Sequence, residues 1–227
     1  MAGTLLYKGK TKDVYQMDDG HYLLRFKDDV TGENGVFDPG ANTVGLSIEG
    51  MGGQNLAMSC VFFELLHSKG IRTHYLTCDL SDNTMTVLPA KPFGKGLEVI
   101  CRLRAVGSFL RRYGGYIDEN AKLDYYVEMT LKDDGRQDPL ITREALRQLN
   151  IMSLEQYDMI EQMTKDITRI IANSLEERAL ELYDIKLEFG LSAGAIILMD
   201  EISSGNMRVY TGSAYLPPLQ LTARILG

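Results

Sequence analysis

Cysteine is scarce in this chain. Only Cys60, Cys78 and Cys101 occur among 227 residues, and no two of them have CxxC spacing. An odd number of scattered cysteines is a poor basis for a disulfide framework or a zinc site, and free thiols are typical of a reducing cytosol. We therefore expect neither a disulfide framework nor a zinc site, and a cytoplasmic location.

The sequence also lacks long apolar runs and any excess of positive charge. No stretch approaches the roughly 20 apolar residues of a membrane-spanning helix, and the N-terminus has no basic-then-apolar signal pattern. The 24 basic residues are outnumbered by 31 acidic ones, which gives a net charge of −7. This balance disfavours a general binder of nucleic acids or anionic membranes, although a local basic pocket stays possible. We expect small-molecule partners, no nucleic acid and no membrane, and leave homo-oligomer formation open.

What is present is an ordinary globular composition, 44% apolar and 24% charged. The segment Pro89–Gly96 carries two prolines and two glycines between apolar strands, which predicts a hinge. We place a domain boundary there, with a β-rich lobe over residues 1–90 and an α+β lobe over residues 91–227. A hinge between lobes commonly forms a ligand cleft.

The clearest pattern is a predicted antiparallel hairpin with a glycine-bracketed turn. Because side chains alternate along a strand, Asp184, Lys186 and Glu188 share one face. With the turn centred near Ala193, Lys186 would lie opposite Asp200, and Glu188 would lie diagonally from it at roughly 7–8 Å. Two carboxylates with a lysine between them could hold Mg²⁺ and phosphate. The alternative, a surface ladder of opposite charges, is the commoner case for an isolated hairpin.

Three lysines recur with period two near the N-terminus. Lys8, Lys10 and Lys12 lie on a predicted strand over Leu5–Tyr15, so their ammonium groups could project from one face toward a ligand. A solvated edge strand is the equal alternative, since lysine discourages edge pairing. A P-loop ending near Lys10 is excluded, because Thr4 stands where the motif requires glycine and no strand precedes it.

Two arginines precede a predicted helix start. Arg102 ends a predicted strand that starts at Leu97, Arg104 follows two residues later, and the helix begins at or near Gly107-Ser108. The two arginines could aim at one anion, and free backbone N–H groups at a helix start suit phosphate. The alternative makes Ser108 a simple N-cap and the arginines surface charges. So many cations close together in an acidic chain favour anion binding.

Periodicity and capping signals predict the remaining elements. We expect a helix over Gln54–Ser68, two strands over Ile71–Leu88, a helix from the Ser153–Gln156 capping box to Tyr183, and a loose tail over Tyr215–Leu226. The glycine-rich stretch 28–53 is either a lid over a ligand or a long connection. The charged loop 132–139 is interpreted as a solvated turn.

Several motifs together resemble one family, the phosphoribosylaminoimidazole-succinocarboxamide synthases or SAICAR synthetases, over about residues 7–208. One block could be chance, whereas four in the family's order are not. The matching blocks are Tyr7-Lys-Gly-Lys-Thr-Lys12, Arg102-Leu-Arg-Ala-Val-Gly-Ser108, Leu131-Lys-Asp-Asp134 through Asp138-Pro-Leu-Ile141, and Asp184-Ile-Lys-Leu-Glu-Phe-Gly190 with Asp200-Glu-Ile-Ser203.

The resemblance implies an α+β fold in two lobes, kinase-like or ATP-grasp-like, with mainly antiparallel sheets and packed helices. It implies ATP-dependent joining of L-aspartate to carboxyaminoimidazole ribotide through an acyl phosphate, in purine biosynthesis. The N-terminal lobe would bind nucleotide, and the C-terminal lobe would carry the ribotide and metal sites. No nucleophilic Ser–His or Cys–His arrangement is needed for this chemistry, and none stands out.

The same resemblance implies roles for individual residues, with ATP and Mg²⁺ as cofactors. Lys10, Lys12 and Lys91 would bind ATP, and Glu188 and Asp200 would hold Mg²⁺, an ion that prefers oxygen ligands. Lys186 would act with these two carboxylates in catalysis. The substrate-binding residues implied are Arg102, Arg104, Ser108, Asp184 and Arg208.

The chain departs from the family pattern around the expected pocket. Asn34 replaces an aspartate, Met51 replaces a lysine, and Gly205 replaces another aspartate, while Asn55 alone remains of a pair of asparagines. The tail does not match the family. A ligase of the family's own specificity is the leading hypothesis. A diverged ligase with another acid or amine, and a catalytically weak nucleotide- or ribotide-binding protein, are the alternatives.

Overall fold

The computed structural model describes residues 3–33, 36–37 and 44–227, which form an α+β fold. The strands are β1 (Thr4–Lys8), β2 (Lys12–Gln16), β3 (Tyr22–Phe26), β4 (Asp29–Glu33), β5 (Val36–Phe37), β6 (Val44–Ser47), β7 (Tyr75–Asp79), β8 (Thr84–Val87), β9 (Lys91–Pro92), β10 (Leu97–Arg104), β11 (Lys122–Leu131), β12 (Glu181–Ser192), β13 (Ala195–Met199), β14 (Met207–Thr211) and β15 (Ala214–Tyr215). The helices are α1 (Met51–Ser68), α2 (Gly107–Tyr113), α3 (Arg143–Gln148), α4 (Leu154–Glu176) and α5 (Pro218–Leu226).

The strands form three antiparallel sheets, as predicted for the fold class. An N-terminal sheet has the order β1-β2-β3-β8-β7, and a small sheet has the order β5-β4-β6. The large sheet has the order β11-β10-β12-β14-β15, with β9 and β13 also paired to β12. The predicted hinge therefore contributes β9 to the large sheet, and the domain boundary at residue 90 stays a prediction.

The N-terminal lysines do not lie on one strand, and that prediction was wrong. The chain turns after Lys8, so β1 and β2 pair with each other and Lys8 lies opposite Asp13. Lys12 begins β2, and its side chain is buried. The backbone closes the turn through a 2.9 Å hydrogen bond from the Gly9 N–H to the Lys12 carbonyl. The segment after residue 20 forms the next strand, β3, which pairs with β2.

Helix α1 packs against β3, β4 and β7 through a nearly continuous set of buried apolar residues. It begins slightly earlier than predicted, at Met51. A disulfide joins Cys60 on α1 to Cys78 on β7, whereas Cys101 is a buried free thiol. This single pair is not a disulfide framework, and the sequence analysis did not foresee it, because the fold brings together two cysteines that no sequence motif links.

The large sheet has one apolar and one polar face. Val99, Cys101, Ile185 and Leu187 point into the core, where α4 covers β10, β11 and β12. Alternation turns the residues between them outward to the other face, and the functional candidates lie there. Burial of the apolar face stabilises the sheet, and strand alternation then determines which residues point from the other, polar face.

Helix α4 begins at the predicted capping box, in which Ser153 and Gln156 satisfy each other's backbone N–H groups. It ends at Glu176 rather than near Tyr183. Ala179 has φ 56°, a left-handed conformation that stops the helix, and β12 starts two residues later. The apolar residues beyond the helix therefore belong to a strand, and the predicted helix was too long.

The predicted hairpin forms, but its register differs from the prediction by one residue. Ala193 and Gly194 both have positive φ, 48° and 80°, which is typical of a two-residue hairpin turn. The turn is therefore centred between these residues, and Glu188 pairs with Met199. Lys186 does not lie opposite Asp200, because a one-residue slip changes every partner.

The predicted loose tail is instead helix α5, and that prediction was wrong. Pro218 occupies the first turn, where proline is tolerated because its missing N–H is not needed. Leu221 and Ile225, four residues apart, are buried, and the helix packs on α1. None of the helices within the described residues is long and apolar enough to cross a membrane.

Candidate active site

Two groups of polar, mostly charged residues lie at the polar face of the large sheet, and the neighbouring α2 and β2 contribute members to them. The first, called here the arginine cluster, consists of Arg102, Arg112, Arg208, Glu128, Asp184 and Ser108. The second, the lysine–carboxylate row, consists of Lys12, Lys132, Lys186, Glu98, Glu188, Asp200 and Glu201. Because Asp184, Lys186 and Glu188 alternate with core residues along β12, the two groups adjoin on one surface.

Arg102 is the centre of the arginine cluster and is 2% exposed. Its Nε and Nη2 donate to Glu128 Oε1 at 2.9 and 2.7 Å, and its Nη1 donates to Asp184 Oδ2 at 2.6 Å. Nη2 also donates to Ser108 Oγ at 2.8 Å, and Nη1 makes a longer bond of 3.4 Å to the Val106 carbonyl. A guanidinium has five N–H donors, so all of them are used inside the protein.

Each carboxylate of the arginine cluster bridges two arginines. Asp184 Oδ2 also accepts from Arg208 Nη1 at 2.8 Å, and both Glu128 oxygens accept from Arg112 Nη2 at 2.6 Å. Gly107 makes room for this arrangement. It has φ 57°, and a Cβ there would lie 2.8 Å from Arg208 Nη1, so a larger residue would be strained and would displace the arginine.

The lysine–carboxylate row begins at Lys12, whose Nζ is 3.1 Å from Asp200 Oδ1 and also contacts Glu201. Burial by itself would lower the pKa of Lys12, but Asp200 and Glu201 outweigh it and raise that pKa above its ordinary value. Burial likewise opposes the charge of Asp200, yet Lys12 and Lys132 hold its pKa below the usual range. Both groups are therefore charged at neutral pH.

Lys132 holds the other predicted metal carboxylate, with Nζ 2.7 Å from Glu188 Oε1. Burial raises the pKa of Glu188, and the negative charge of Asp200 adds to the rise against the opposing effect of Lys132. Asp200 itself has φ 71°, a left-handed conformation that aspartate tolerates better than most residues. Backbone strain of this kind is common where a side chain is aimed for function.

Lys186 completes the row by donating to Glu98 Oε1 at 2.7 Å. Thr130 Oγ1 donates to the other oxygen of Glu98 at 3.2 Å. Behind the row, the buried ring of His74 lies 3.0 Å from the Asp200 carbonyl. Burial lowers the pKa of His74 to about 4, so the ring is neutral above that pH.

Most predicted site residues lie in one of these two groups, but three do not. Arg104 donates to Glu181 Oε1 at 2.5 and 2.8 Å and stacks on Tyr183. Its partners differ from those of Arg102, and a shared anion site for the two arginines stays a prediction. Arg104 instead borders a separate cavity of about 480 Å³, which lies between α4 and the ends of β10, β11 and β12. Lys10 lies 2.6 Å from Asp134, and Lys91 is exposed on β9.

Of the positions that depart from the family pattern, those that the structure describes lie near the Glu201 end of the lysine–carboxylate row. Met51 is buried at the start of α1, and Asn55 accepts a 2.8 Å hydrogen bond from Ser204 Oγ. Gly205 donates its N–H to Ser203 Oγ at 3.0 Å. Asn34 lies outside the described residues.

The sequence analysis did not assign a site role to Glu98, Glu128, Arg112, Lys132 or Glu201. Strand alternation could have found the first two, because they occupy polar-face positions of β10 and β11. Arg112 lies four residues after Ser108, which puts both on one side of a helix. Lys132 was attributed to a solvated turn, whereas it contacts Glu188.

The donor set fits Mg²⁺ through Glu188 and Asp200. Mg²⁺ commonly uses one or two carboxylates and completes its shell with water and substrate phosphates. Burial is the main cause of the raised pKa of Glu188, and the negative charge of Asp200 adds to it. A divalent cation bound between the two carboxylates would offset both effects. The described residues contain no cluster of three or more His, Cys, Asp or Glu side chains suited to a metal, so the protein alone does not form a closed metal cage there.

Known proteins resemble this chain over nearly all its length. The profile of the family described as SAICAR synthetase matches residues 5–220. The phosphoribosylaminoimidazole-succinocarboxamide synthase of Clostridium tetani is 56% identical over 98% of this chain and 99% of its own. The enzyme of that name from Sulfolobus acidocaldarius is 38% identical over 89% of this chain and 82% of its own.

Solved structures give the same result for the fold. A structure described as SAICAR synthetase in complex with ADP is 31% identical, with a TM-score of 0.82 over 93% of this chain and 87% of its own. A SAICAR synthetase from Pyrococcus horikoshii is 27% identical, also with a TM-score of 0.82, over 95% of this chain and 97% of its own. Sequence profile, relatives and fold agree, and the chain belongs to the SAICAR synthetase family.

Proposed function

We propose that this protein is an ATP-dependent ligase that joins L-aspartate to carboxyaminoimidazole ribotide, giving SAICAR, ADP and phosphate in purine biosynthesis. Family membership and a relative 56% identical over nearly the whole chain support the activity. The complex of a relative with ADP supports the use of a nucleotide. Small-molecule substrates then account for the charged face of the large sheet.

The observation that carries the proposal is the order of charges along one strand face. Asp184 lies in the arginine cluster, Lys186 follows, and Glu188 lies in the lysine–carboxylate row. At about 3.3 Å per residue, the first and last of these are about 13 Å apart along the strand. This face therefore suits a ligand with a phosphate at one end and a reacting carboxylate toward the other.

The ribotide phosphate would lie against the arginine cluster. Arg208 and the Ser108 hydroxyl would contact it, because arginine binds phosphate in a bidentate manner. Arg102 would contribute charge and hold Ser108 and Asp184 in place, since its donors are already engaged. A direct contact of the substrate with Arg104 stays a prediction.

The nucleotide would lie against the lysine–carboxylate row. Lys10, Lys12 and Lys91 would neutralise its phosphates, and Glu188 and Asp200 would hold Mg²⁺. The cation, when bound, would supply charge neutralisation on the phosphates. Lys186 would orient the substrate carboxylate and balance its charge during transfer.

Two bond exchanges complete the reaction. A carboxylate oxygen of the ribotide attacks the terminal phosphorus of ATP, which forms an acyl phosphate and releases ADP. The amine of aspartate then attacks the acyl carbon, loses a proton and expels phosphate, leaving an amide. Phosphoryl transfer depends mainly on positioning and charge neutralisation, which the two charged groups of the site could provide.

The experiment is a coupled assay of ADP release with ATP, Mg²⁺, the ribotide and L-aspartate, with the product identified by mass. We expect turnover that requires all four components. Glu188→Ala should lower it by at least about 100-fold, as for the loss of a group that stabilises transition-state charge. Glu181→Ala, a matched glutamate at the other end of β12, should stay within a few-fold of the unmutated protein.

Growth rescue of a purine-requiring strain that lacks SAICAR synthetase provides the parallel test. Rescue that is lost with Glu188→Ala would support the reaction and one site residue together. ADP release with another amine, and none with aspartate, would replace the proposal by a diverged ligase. Nucleotide binding without turnover by a folded protein would overturn both.

A further inference from the structure

We propose that Arg112 is a further phosphate-binding residue of the ribotide site and that Glu128 is the residue that positions it. The inference rests on the proposed function, because it assumes that a ribotide phosphate binds at the arginine cluster. It adds a residue that none of the matching sequence blocks contains. The ligand chemistry is that of a phosphate monoester.

The first step is a charge count. Three guanidinium groups, of Arg102, Arg112 and Arg208, surround two carboxylates, of Glu128 and Asp184. Three positive and two negative charges leave a net charge of +1 before any ligand binds. A phosphate monoester supplies negative charge and several acceptor oxygens, so the cluster suits it electrostatically.

The second step concerns access. Arg102 has a side chain only 3% exposed, and its donors are all engaged. A phosphate could bind Arg102 directly only by breaking one of these buried bonds. The Arg112 side chain is 29% exposed, and its contact with Glu128 uses Nη2. Arg112 is therefore more accessible to a ligand than Arg102.

The third step concerns direction. Arg112 lies four residues after Ser108 on α2, so both side chains extend from the same side of the helix. Ser108 and Arg112 are further linked through neighbours, because Ser108 bonds Arg102 and Arg102 shares Glu128 with Arg112. Glu128 thus holds the guanidinium of Arg112 and also binds Arg102, which in turn contacts the hydroxyl expected to meet the phosphate.

Arg111 offers a matched control, because it is the neighbouring arginine, is exposed, and does not belong to the cluster. We would measure the dissociation constant of the ribotide by calorimetry without ATP, and the KM values for ribotide and ATP in turnover. Arg112→Gln should weaken ribotide binding about 10- to 100-fold, the usual range for a lost hydrogen bond to a charged group. Arg111→Gln should leave binding unchanged, and the ATP KM should stay within about two-fold in both variants.

A second ligand separates a phosphate contact from a general loss of fold. The corresponding riboside, which lacks the phosphate, should bind Arg112→Gln and the unmutated protein equally. Glu128→Gln, which keeps the side-chain shape, should weaken the ribotide and spare the riboside in the same way.

Three results would contradict the inference. Equal ribotide binding by Arg112→Gln and Arg111→Gln, in a protein whose unmutated form turns over, would remove Arg112 from the site. Equal weakening of ribotide and riboside would make its role structural. Absence of turnover and of ribotide binding in the folded, unmutated protein would instead overturn the proposed function on which the inference rests.

Discussion

The arginine cluster and the lysine–carboxylate row occupy one sheet face but differ in how they hold charge. In the arginine cluster, side-chain exposure of Arg102, Glu128 and Asp184 is 3–4%. In the row, Lys132 is 44% exposed and Lys186 is 27% exposed. The first group is closed around its carboxylates, and the second opens toward water except at its Lys12 end.

The difference follows from the chemistry of the two cations. A guanidinium is planar and offers several donors in fixed directions, so one arginine can join two carboxylates and a hydroxyl at once. An ammonium group is a compact point charge on a flexible stem and can change partners with little distortion. The same sheet therefore carries a rigid end suited to anchoring a substrate and an exchangeable end suited to a nucleotide and a cation.

Among the substitutions that test this contrast, Asp184→Asn should have the largest effect on stability. The change removes the charge between Arg102 and Arg208, and Arg102 is too buried to find water. Breaking a buried ion pair typically costs about 3–5 kcal/mol. We expect a fall of that size in the free energy of unfolding, measured by urea denaturation at neutral pH.

The comparison partner is Glu188→Gln in the row. Lys132, its partner, is half-exposed and can turn to water, and burial already disfavours the charge of Glu188. The free energy of unfolding should therefore change by less than about 1 kcal/mol, because the cost of burying the Glu188 charge offsets much of what the pair contributes. Equal losses in the two variants would mean that the row is as closed as the arginine cluster.

Much of this arrangement could be predicted because alternation is a local property of a strand. The polar positions of β12 follow directly from Ile185, Leu187 and Phe189 pointing into the core. The hairpin register could not be predicted, because it depends on whether one or two residues form the turn. Ala193 and Gly194 both adopt positive φ, and a slip of a single residue separated Lys186 from Asp200.

Contacts between residues far apart in the chain could not be predicted from the sequence, for a different reason. Glu128 lies on β11, and its three ion-paired nitrogens come from β10 and α2. Cys60 and Cys78 likewise meet only because α1 packs on β7. Such pairs depend on tertiary packing, to which no spacing rule applies, whereas the capping box of α4 lies within four residues and was predicted.

A second test is whether water penetrates from the open end of the site to the buried His74 behind Asp200. His74 lies under Asp200, is 3% exposed, and has a pKa lowered from 6.5 to about 4 by burial. Lys12 lowers it further, whereas Asp200 opposes the shift through its charge and its backbone carbonyl. Water reaching through the row would return this pKa toward its ordinary value.

The sign of the pH effect follows from the folded pKa lying below the unfolded one. The contribution of neutral His74 to the free energy of unfolding is fully present above about pH 6.5 and is lost as the pH falls toward 4. At about 1.4 kcal/mol per pKa unit the loss is about 3 kcal/mol. Urea denaturation at several pH values should show this slope in the unmutated protein and in His21→Gln, a control at a partly exposed histidine far from Asp200 in the sequence. His74→Gln should lack it, and an equal slope in His74→Gln would show that other groups cause it.

The smallest expected effect belongs to the Arg104–Glu181 pair, which lies outside both groups, at the ends of strands β10 and β12. The Glu181 side chain is 46% exposed and that of Arg104 is 21% exposed, so water competes for both charges. Exposed pairs contribute about 0.2–1 kcal/mol, and Glu181→Gln should lower the free energy of unfolding by no more than that. Arg104→Gln should raise the ribotide KM less than Arg208→Gln, because Arg208 shares a carboxylate with the arginine cluster and Arg104 does not. If Arg104→Gln raised the ribotide KM more than Arg208→Gln, Arg104 would belong to the ribotide site. The rigid end of the site would then include the ends of β10 and β12.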